Sequence, residues 1–278
     1  MSTVGIVLHT ERPLARTLAR EAREWLIANG HEVRFPANDA ALVGVSEAWD
    51  ETKFGHGLNL ILSMGGDGTM LRALRLISPH DVDILGINVG RLGYLTEVEP
   101  AGMVEALERY FQGDYKIDER MLLSVSSPEV AELALNEAVV EKTASGHTIR
   151  LGVYVNGDFF TNYITDGLIV ATPTGSTAYS LSARGPIVDP SHQALILTPV
   201  APHMLFDRSL VLNPNTEIII EVGDGRPASL SVDGRSVGVF EQGHRIYFRT
   251  SPHRARLVNF GLREFHAILK DKFGLNER

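Results

Sequence analysis

Apolar positions in the first hundred residues follow two different periods in turn. TVGIVLH (3–9) is a short β-branched run that reads as a strand, and after it Leu14, Leu18, Ala22, Trp25 and Leu26 fall on one face at helical spacing. Asn29-Gly30 stops that helix. HEVRFP reads as a second strand, LNLILSM (58–64) as a third and DILGINVG (83–90) as a fourth, with MLRALRLI as the helix between the last two. Strands alternating with helices predict an α/β domain built on a doubly wound, mostly parallel sheet.

The pattern changes after Glu99-Pro100-Ala101-Gly102. One more amphipathic helix (Met103, Leu107, Tyr110, Phe111) closes at Gly113. From there to about residue 260, strand-like alternation is punctuated by the turn pairs Asn156-Gly157, Asp224-Gly225, Asp233-Gly234 and Gln242-Gly243, which predicts an antiparallel β-rich domain. The last pattern, REFHAILKDKF (263–273), is helical and is expected to pack back on the first domain. The predicted domains are therefore 1–100 with 262–278, and 101–261.

Composition narrows the function classes. The 278 residues are 44% hydrophobic, enough for a sizeable core. Lys plus Arg number 26 against 34 Asp plus Glu, a net charge of −8, so a general nucleic-acid surface is not expected and any phosphate must be held by local loops. Zero cysteines exclude disulfides and thiol chemistry and suit a reducing compartment such as the cytoplasm. The amino terminus lacks a basic segment followed by an apolar stretch, and no run approaches the ~20 apolar residues of a membrane span.

The sharpest local signal is Gly65-Gly66-Asp67-Gly68-Thr69, between an apolar strand and a helix. A glycine turn there offers backbone N–H groups and a positive helix end to an anion. Asp67 within such a cradle implies a metal ion or a proton to accept, both of them catalytic roles. The same residues also read as a plain tight turn with Thr69 capping the helix.

A second strand-turn-helix pattern runs from Asp166 to Pro186, where Ser176, Thr177, Ser180 and Ser182 are candidate donors and Tyr179 a candidate stacking ring, or simply cap residues. Asn136-Glu137 interrupts an apolar strand pattern and suits a ribose diol, or equally a solvent-facing strand end. No histidine spacing suggests a metal site in the protein.

Taken in order, GGDGT, GINVGRLGYLTE (86–97), LNEAVVEK (135–142) and TDGLIVATPTGSTAYSLSARGPIVDP (165–190) resemble NAD kinases of the bacterial type, and the likeness covers most of the chain. GGDGT alone also resembles turns of diacylglycerol kinases and phosphofructokinases; the TPTGSTAYSLSA segment is far more specific.

The resemblance implies phosphoryl transfer from ATP to the 2′-hydroxyl of the adenosine ribose of NAD, giving NADP, with a divalent ion such as Mg²⁺ accompanying ATP, in a homodimer or homotetramer. It implies Asp67 as proton acceptor, Gly68 lining the NAD site and Arg72 facing phosphate. Asn136 and Glu137 are expected on ribose hydroxyls, and His147 and Asp166 on other parts of the dinucleotide. Thr177, Ala178, Tyr179, Ser180, Leu181 and Ser182 are expected around adenine and ribose, with Ala201 beside the ligand.

Two positions depart from the family pattern: Ile164, where a basic residue is common, and Arg235, where Gln is common. Arg235 is expected near the ribose, where it would favour the 2′-phosphate of NADP and product inhibition. The expected arrangement has NAD and ATP meeting in the cleft between domains. Two rival readings are a lipid kinase sharing GGDGT, which needs an apolar entry for acyl chains, and a non-catalytic NAD(P) sensor, which has no need of Asp67.

Overall fold

The computed structural model describes residues 1–90, 93–223, 225–262 and 264–275. The chain forms two compact units, residues 1–119 with the segment beginning at Ala255, and residues 120–254.

The first unit opens with β1 (Thr3–Leu8), α1 (Pro13–Ala28), β2 (Glu32–Arg34), α2 (Ala37–Val43), β3 (Leu60–Gly65), α3 (Asp67–Ile77), β4 (Asp83–Asn88) and α4 (Met103–Gln112). Its strands lie in the order β2-β1-β3-β4, all parallel. Both β3 and β4 are buried along their whole length, as the uninterrupted apolar runs of a doubly covered parallel sheet require. α1 starts at Pro13, whose fixed φ and missing N–H suit a first helical turn, and buries Ala15, Leu18, Ala19, Ala22 and Leu26. That face packs on Val4, Ile6, Leu62 and Leu85.

The second unit contains most of β5 (Lys116–Ser127), then β6 (Val130–Ala134), β7 (Glu137–Lys142), β8 (Ile149–Val155), β9 (Asp158–Thr165) and β10 (Gly167–Ala171). A short α5 (Tyr179–Ser182) leads into β11 (Leu195–Val200), β12 (Leu210–Leu212), β13 (Ile218–Val222), β14 (Ala228–Val232) and β15 (Arg235–Phe240). One antiparallel sheet has the order β12-β11-β10-β7-β14-β15, and β13 pairs antiparallel with β8. The inward positions Ala138, Val140, Leu168, Val170, Leu195, Leu197 and Leu230 share a core with Leu151, Val153, Ile218 and Ile220.

The last strand, β16 (Arg245–Asn259), begins antiparallel to β13, and its later residues Arg256 and Leu257 pair parallel with β4. It leads to α6 (Phe265–Phe273), which groups with the first unit, its Lys272 Nζ lying 5.4 Å from the Tyr94 ring centroid. No helix among the described residues is long and apolar enough to cross a membrane.

Three details correct the sequence expectations. The unit boundary lies near residue 119, not 100, because α4 buries Met103, Ala106 and Leu107 in the core of the first unit. The second strand shrinks to Glu32–Arg34, and α2 follows directly at Ala37. The last helix starts at Phe265 and buries none of its described residues.

The turn pairs Asn156-Gly157 and Asp233-Gly234 adopt left-handed backbone at both positions, as tight antiparallel hairpins demand. The expected Asp224-Gly225 turn includes Asp224, which lies outside the described residues, as do Arg91 and Leu92 of the 86–97 segment.

Candidate functional site

In the first unit, β3 ends in Gly65 and α3 begins at Asp67, with extended Gly66 at the helix cap. Thr69 is not the cap: it sits in the first turn of α3 with its side chain over Gly65, where any Cβ would strike it. Asp67 accepts backbone N–H bonds at both carboxylate oxygens, from Tyr94 to Oδ2 (2.9 Å) and from Leu95 to Oδ1 (3.0 Å). Each oxygen keeps a further lone pair for a hydroxyl proton. Gly93 comes so close to Asp67 that a Cβ there would collide with the carboxylate.

Beside this turn lies a pocket of about 530 Å³, lined by Gly66, Gly68 and Thr69 of the glycine turn, His9, Thr10 and Arg12 after β1, and Arg72 and Arg75 of α3, together with Leu8, Asn38 and Glu51. It sits at the carboxyl ends of parallel strands, where α/β folds collect ligands. Arg72 reaches it, but the guanidinium is also anchored: it pairs with the fully buried Asp39 and donates to the Leu8 carbonyl (3.2 Å). Asp39 also accepts the Leu8 N–H (3.1 Å). Arg72 is paired with Asp39 and Arg75 with Glu51 (3.6 Å), so the three arginines of the lining, Arg12 included, face two carboxylates and leave a modest positive balance toward an anion.

The second unit presents chemistry of the opposite sign. Leu135 and Asn136 form the turn from β6 into β7, and Glu137, the first residue of β7, is buried. Its carboxyl accepts the backbone N–H of Tyr179, while Oε2 is buried with no hydrogen-bond partner among the described residues. Burial first, then the nearby Asp233 charge, pushes the Glu137 carboxyl up to about 7.

Tyr179 is partly exposed, and its phenol is raised by burial and then by the negative charges of Glu141, Asp166 and Glu137. Asp166 pairs with Lys142 Nζ at 2.7 Å. Carboxylates clustered around an aromatic ring accept hydrogen bonds from sugar hydroxyls and base amino groups, and they repel phosphate.

The glycine and hydroxyl turn of this unit is largely internal. Thr172 is fully buried, donating to the Leu135 carbonyl (2.5 Å) and accepting the Gly175 N–H (3.1 Å). A Cβ on Gly175 would overlap the backbone of Asn136, so only glycine lets the two turns lie together. The hydroxyls expected to be ligand donors have partners of their own. Ser176 bridges the N–H and carbonyl of Val188, Thr177 donates to the Thr174 carbonyl (3.2 Å), and buried Ser180 meets Thr198 Oγ1 (3.0 Å). Ala178 and Leu181 are half-buried and Ser182 is exposed.

His147 is exposed in the turn before β8, and Ala201 is exposed with φ +46°. Arg235 does not carry the free charge expected of it: Nη2 pairs with Glu132 Oε1 at 2.7 Å. Asp233, read from the sequence only as a turn residue, accepts three consecutive backbone N–H groups, from Leu135 (2.9 Å), Asn136 (2.8 Å) and Glu137 (3.2 Å). Nothing local signals this, because its partners lie up to 98 positions earlier in the chain.

Models of the ATP-NAD kinase N-terminal domain and the ATP-NAD kinase C-terminal domain match residues 4–115 and 135–260. The NAD kinase of Heliobacterium modesticaldum is 39% identical over 278 residues, covering 98% of each chain. That of Moorella thermoacetica is 40% identical over 280 residues, covering 98% of this chain and 89% of its own.

Among solved structures, an NAD kinase from Archaeoglobus fulgidus in complex with ATP is similar at TM-score 0.76 and 26% identity, covering 98% of this chain and 97% of its own. Yeast NADH kinase complexed with NADH shares the fold at TM-score 0.92 and 24% identity, covering 100% and 89%. With both domain models matched in chain order and relatives of this identity along nearly the whole length, the chain belongs to the ATP-NAD kinase family.

Proposed function

We propose that this enzyme transfers the γ-phosphoryl group of ATP to the 2′-hydroxyl of the adenosine ribose of NAD, with Asp67 receiving the hydroxyl proton. Family membership supports the reaction class. The observation that carries the residue assignment is the placement of Asp67 as the first residue of α3, flanked by two glycines that line an arginine-rich pocket. In this reading the pocket holds the triphosphate, with Arg72 and Arg75 beside it and the N–H groups of Asp67 and Gly68 offered to phosphate oxygens, those of Thr69 and Met70 being bonded to the Gly66 carbonyl. The acidic face around Glu137, Asp166 and Tyr179 holds ribose and adenine, the uncharged donors of the substrate.

Phosphoryl transfer asks the protein for positioning and charge neutralisation more than for covalent chemistry. Asp67 is fixed by the Tyr94 and Leu95 N–H groups, so it can orient the ribose hydroxyl and take its proton as the new P–O bond forms. The proposal has a divalent ion enter with ATP, of the kind that Mg²⁺ forms with substrate phosphates in many nucleotide enzymes. A divalent ion accompanying ATP in this pocket would supply charge neutralisation at the phosphates beside Arg72 and Arg75.

We further propose that the enzyme is a cytoplasmic homo-oligomer inhibited by NADP. The experiment that tests the whole is an assay of NADP formation with ATP, NAD and Mg²⁺, repeated with each omitted in turn. Formation of NADP only in the complete mixture is expected. Absence of NADP in it, with ATP turned over on another alcohol such as a diacylglycerol, would overturn the reading.

A further inference from the structure

The turn that presents Asn136 and Glu137 is built from parts far apart in sequence. On one side, the Asn136 carbonyl accepts the Thr172 N–H (2.9 Å) and Gly175 lies against the Asn136 backbone. On the other stands Asp233, at the left-handed corner of the β14–β15 hairpin (φ +47°). Its carboxylate receives the N–H groups of residues 135, 136 and 137, and its own N–H donates to the Glu137 carbonyl (2.9 Å). Three successive N–H groups converging on one anion fix the φ and ψ of the segment that supplies them. The directions in which the Asn136 and Glu137 side chains leave the backbone are fixed with them.

We propose that Asp233 is a positioning residue for the ribose: its carboxylate holds the 135–137 backbone so that Asn136 and Glu137 meet the vicinal hydroxyls in one shared geometry. This rests on the reading that those two side chains hold the ribose. Asp233 needs no contact with substrate, since its carboxylate is already engaged by the turn.

The same arrangement couples ribose binding to a proton. Glu137 faces Asp233, with Arg235 beside it and Arg235 in turn paired to Glu132 of β6. It also faces Tyr179, whose phenol lies near Glu141 and near Asp166, the latter paired with Lys142. Burial raises the Asp233 carboxyl, and three backbone N–H donors and Arg235 oppose that rise; Glu137 Oε2 is buried with no hydrogen-bond partner among the described residues, so of the two Glu137 is the member that keeps a proton near neutral pH. Ribose hydroxyls donating to Glu137 favour its ionised form. NAD binding therefore releases a proton and tightens as pH rises through about 7.

The test compares wild type, Glu137→Gln and Asp233→Asn by kcat and KM for NAD and for ATP across roughly pH 6 to 8, the range bracketing the raised Glu137 carboxyl. Asp233→Asn is expected to raise the KM for NAD about tenfold, the scale of one lost charge-assisted bond, with kcat and the KM for ATP nearly unchanged. Its pH midpoint moves down, since one negative charge beside Glu137 is gone. A merely structural role would lower the melting midpoint and the active fraction without moving either quantity.

If Glu137→Gln raises the KM for NAD while Asp233→Asn alters neither the KM nor the midpoint, the positioning proposal is overturned and the ribose reading stands. If Glu137→Gln leaves the KM unchanged, the ribose reading falls and takes the proposal with it. Should Asp233→Asn not fold, Asp233→Ser, which keeps one acceptor oxygen and no charge, is read by the same criteria. Calorimetry of NAD binding to the wild type in buffers of different ionisation enthalpy is expected to show proton release, and its absence counts against the coupling.

Discussion

Replacing Asp67 by Asn separates binding from chemistry. The carboxylate accepts the Tyr94 and Leu95 N–H groups on different oxygens, and an amide has only one oxygen to offer. One N–H is left facing an NH₂ group, which costs about 1.5–3 kcal/mol of local stability for a charge-assisted bond. The fold survives that, because Thr69, Met70 and Ala73 still anchor α3 in the core. The side chain can no longer accept the ribose proton in the transition state, and general-base catalysis of this kind contributes about 10²–10⁴-fold. That range corresponds to about 2.7–5.5 kcal/mol in the activation barrier.

The expected result is therefore a kcat lower by about two to four orders of magnitude with a KM for NAD within about threefold of wild type, the signature of an interaction made only in the transition state. Initial rates of NADP formation, coupled to an NADP-specific dehydrogenase with NAD varied at saturating ATP, measure both quantities. A melting curve on the same preparation checks that the protein is folded. A variant that is folded and keeps its kcat within about threefold would refute the role of Asp67 as proton acceptor.

Other perturbations follow from the same geometry. Glu137 holds a proton more tightly in the folded protein than in the unfolded chain, so its burial costs nothing below the unfolded value near 4.5 and progressively more as pH rises to about 7. Glu137→Gln is accordingly expected to gain up to about 3 kcal/mol over wild type above that range and to show no gain in acid; melting midpoints at both extremes check it. Asp39→Ala leaves Arg72 and the Leu8 N–H without their buried partner and is expected to destabilise the fold by about 3–5 kcal/mol, read by urea denaturation, while raising the KM for ATP. Gly175→Ala forces a Cβ into the Asn136 backbone, so the KM for NAD is expected to rise while the KM for ATP holds; equal changes in both would show that the turn is not specific to NAD. Arg235→Gln is expected to weaken inhibition by NADP only slightly, because Glu132 already neutralises the guanidinium; a large loss of inhibition would show that NADP displaces Glu132.

The alternation of β1, α1, β3, α3 and β4, the glycine turn at Asp67 and the tight hairpins at Asn156-Gly157 and Asp233-Gly234 are all readable in the order of residues, because each depends on sterics and periodicity within a few positions. The basic character of the glycine turn's surroundings is only half readable: Arg72 is the sixth residue of a legible helix, but Asp39 and the loop after β1 reach it only through the fold.

Other features needed the tertiary structure. The apolar stripe of α4 does not name the core it enters, so the unit boundary moved. The hydroxyls of Ser176 and Ser180 looked available and are used internally, and Arg235 looked free and is paired. Asp233 shows most directly why. Its backbone conformation is dictated by its own neighbours, but the destination of its carboxylate is set by which strands lie side by side, and strand pairing brings together hydrogen-bond partners that no local pattern can join.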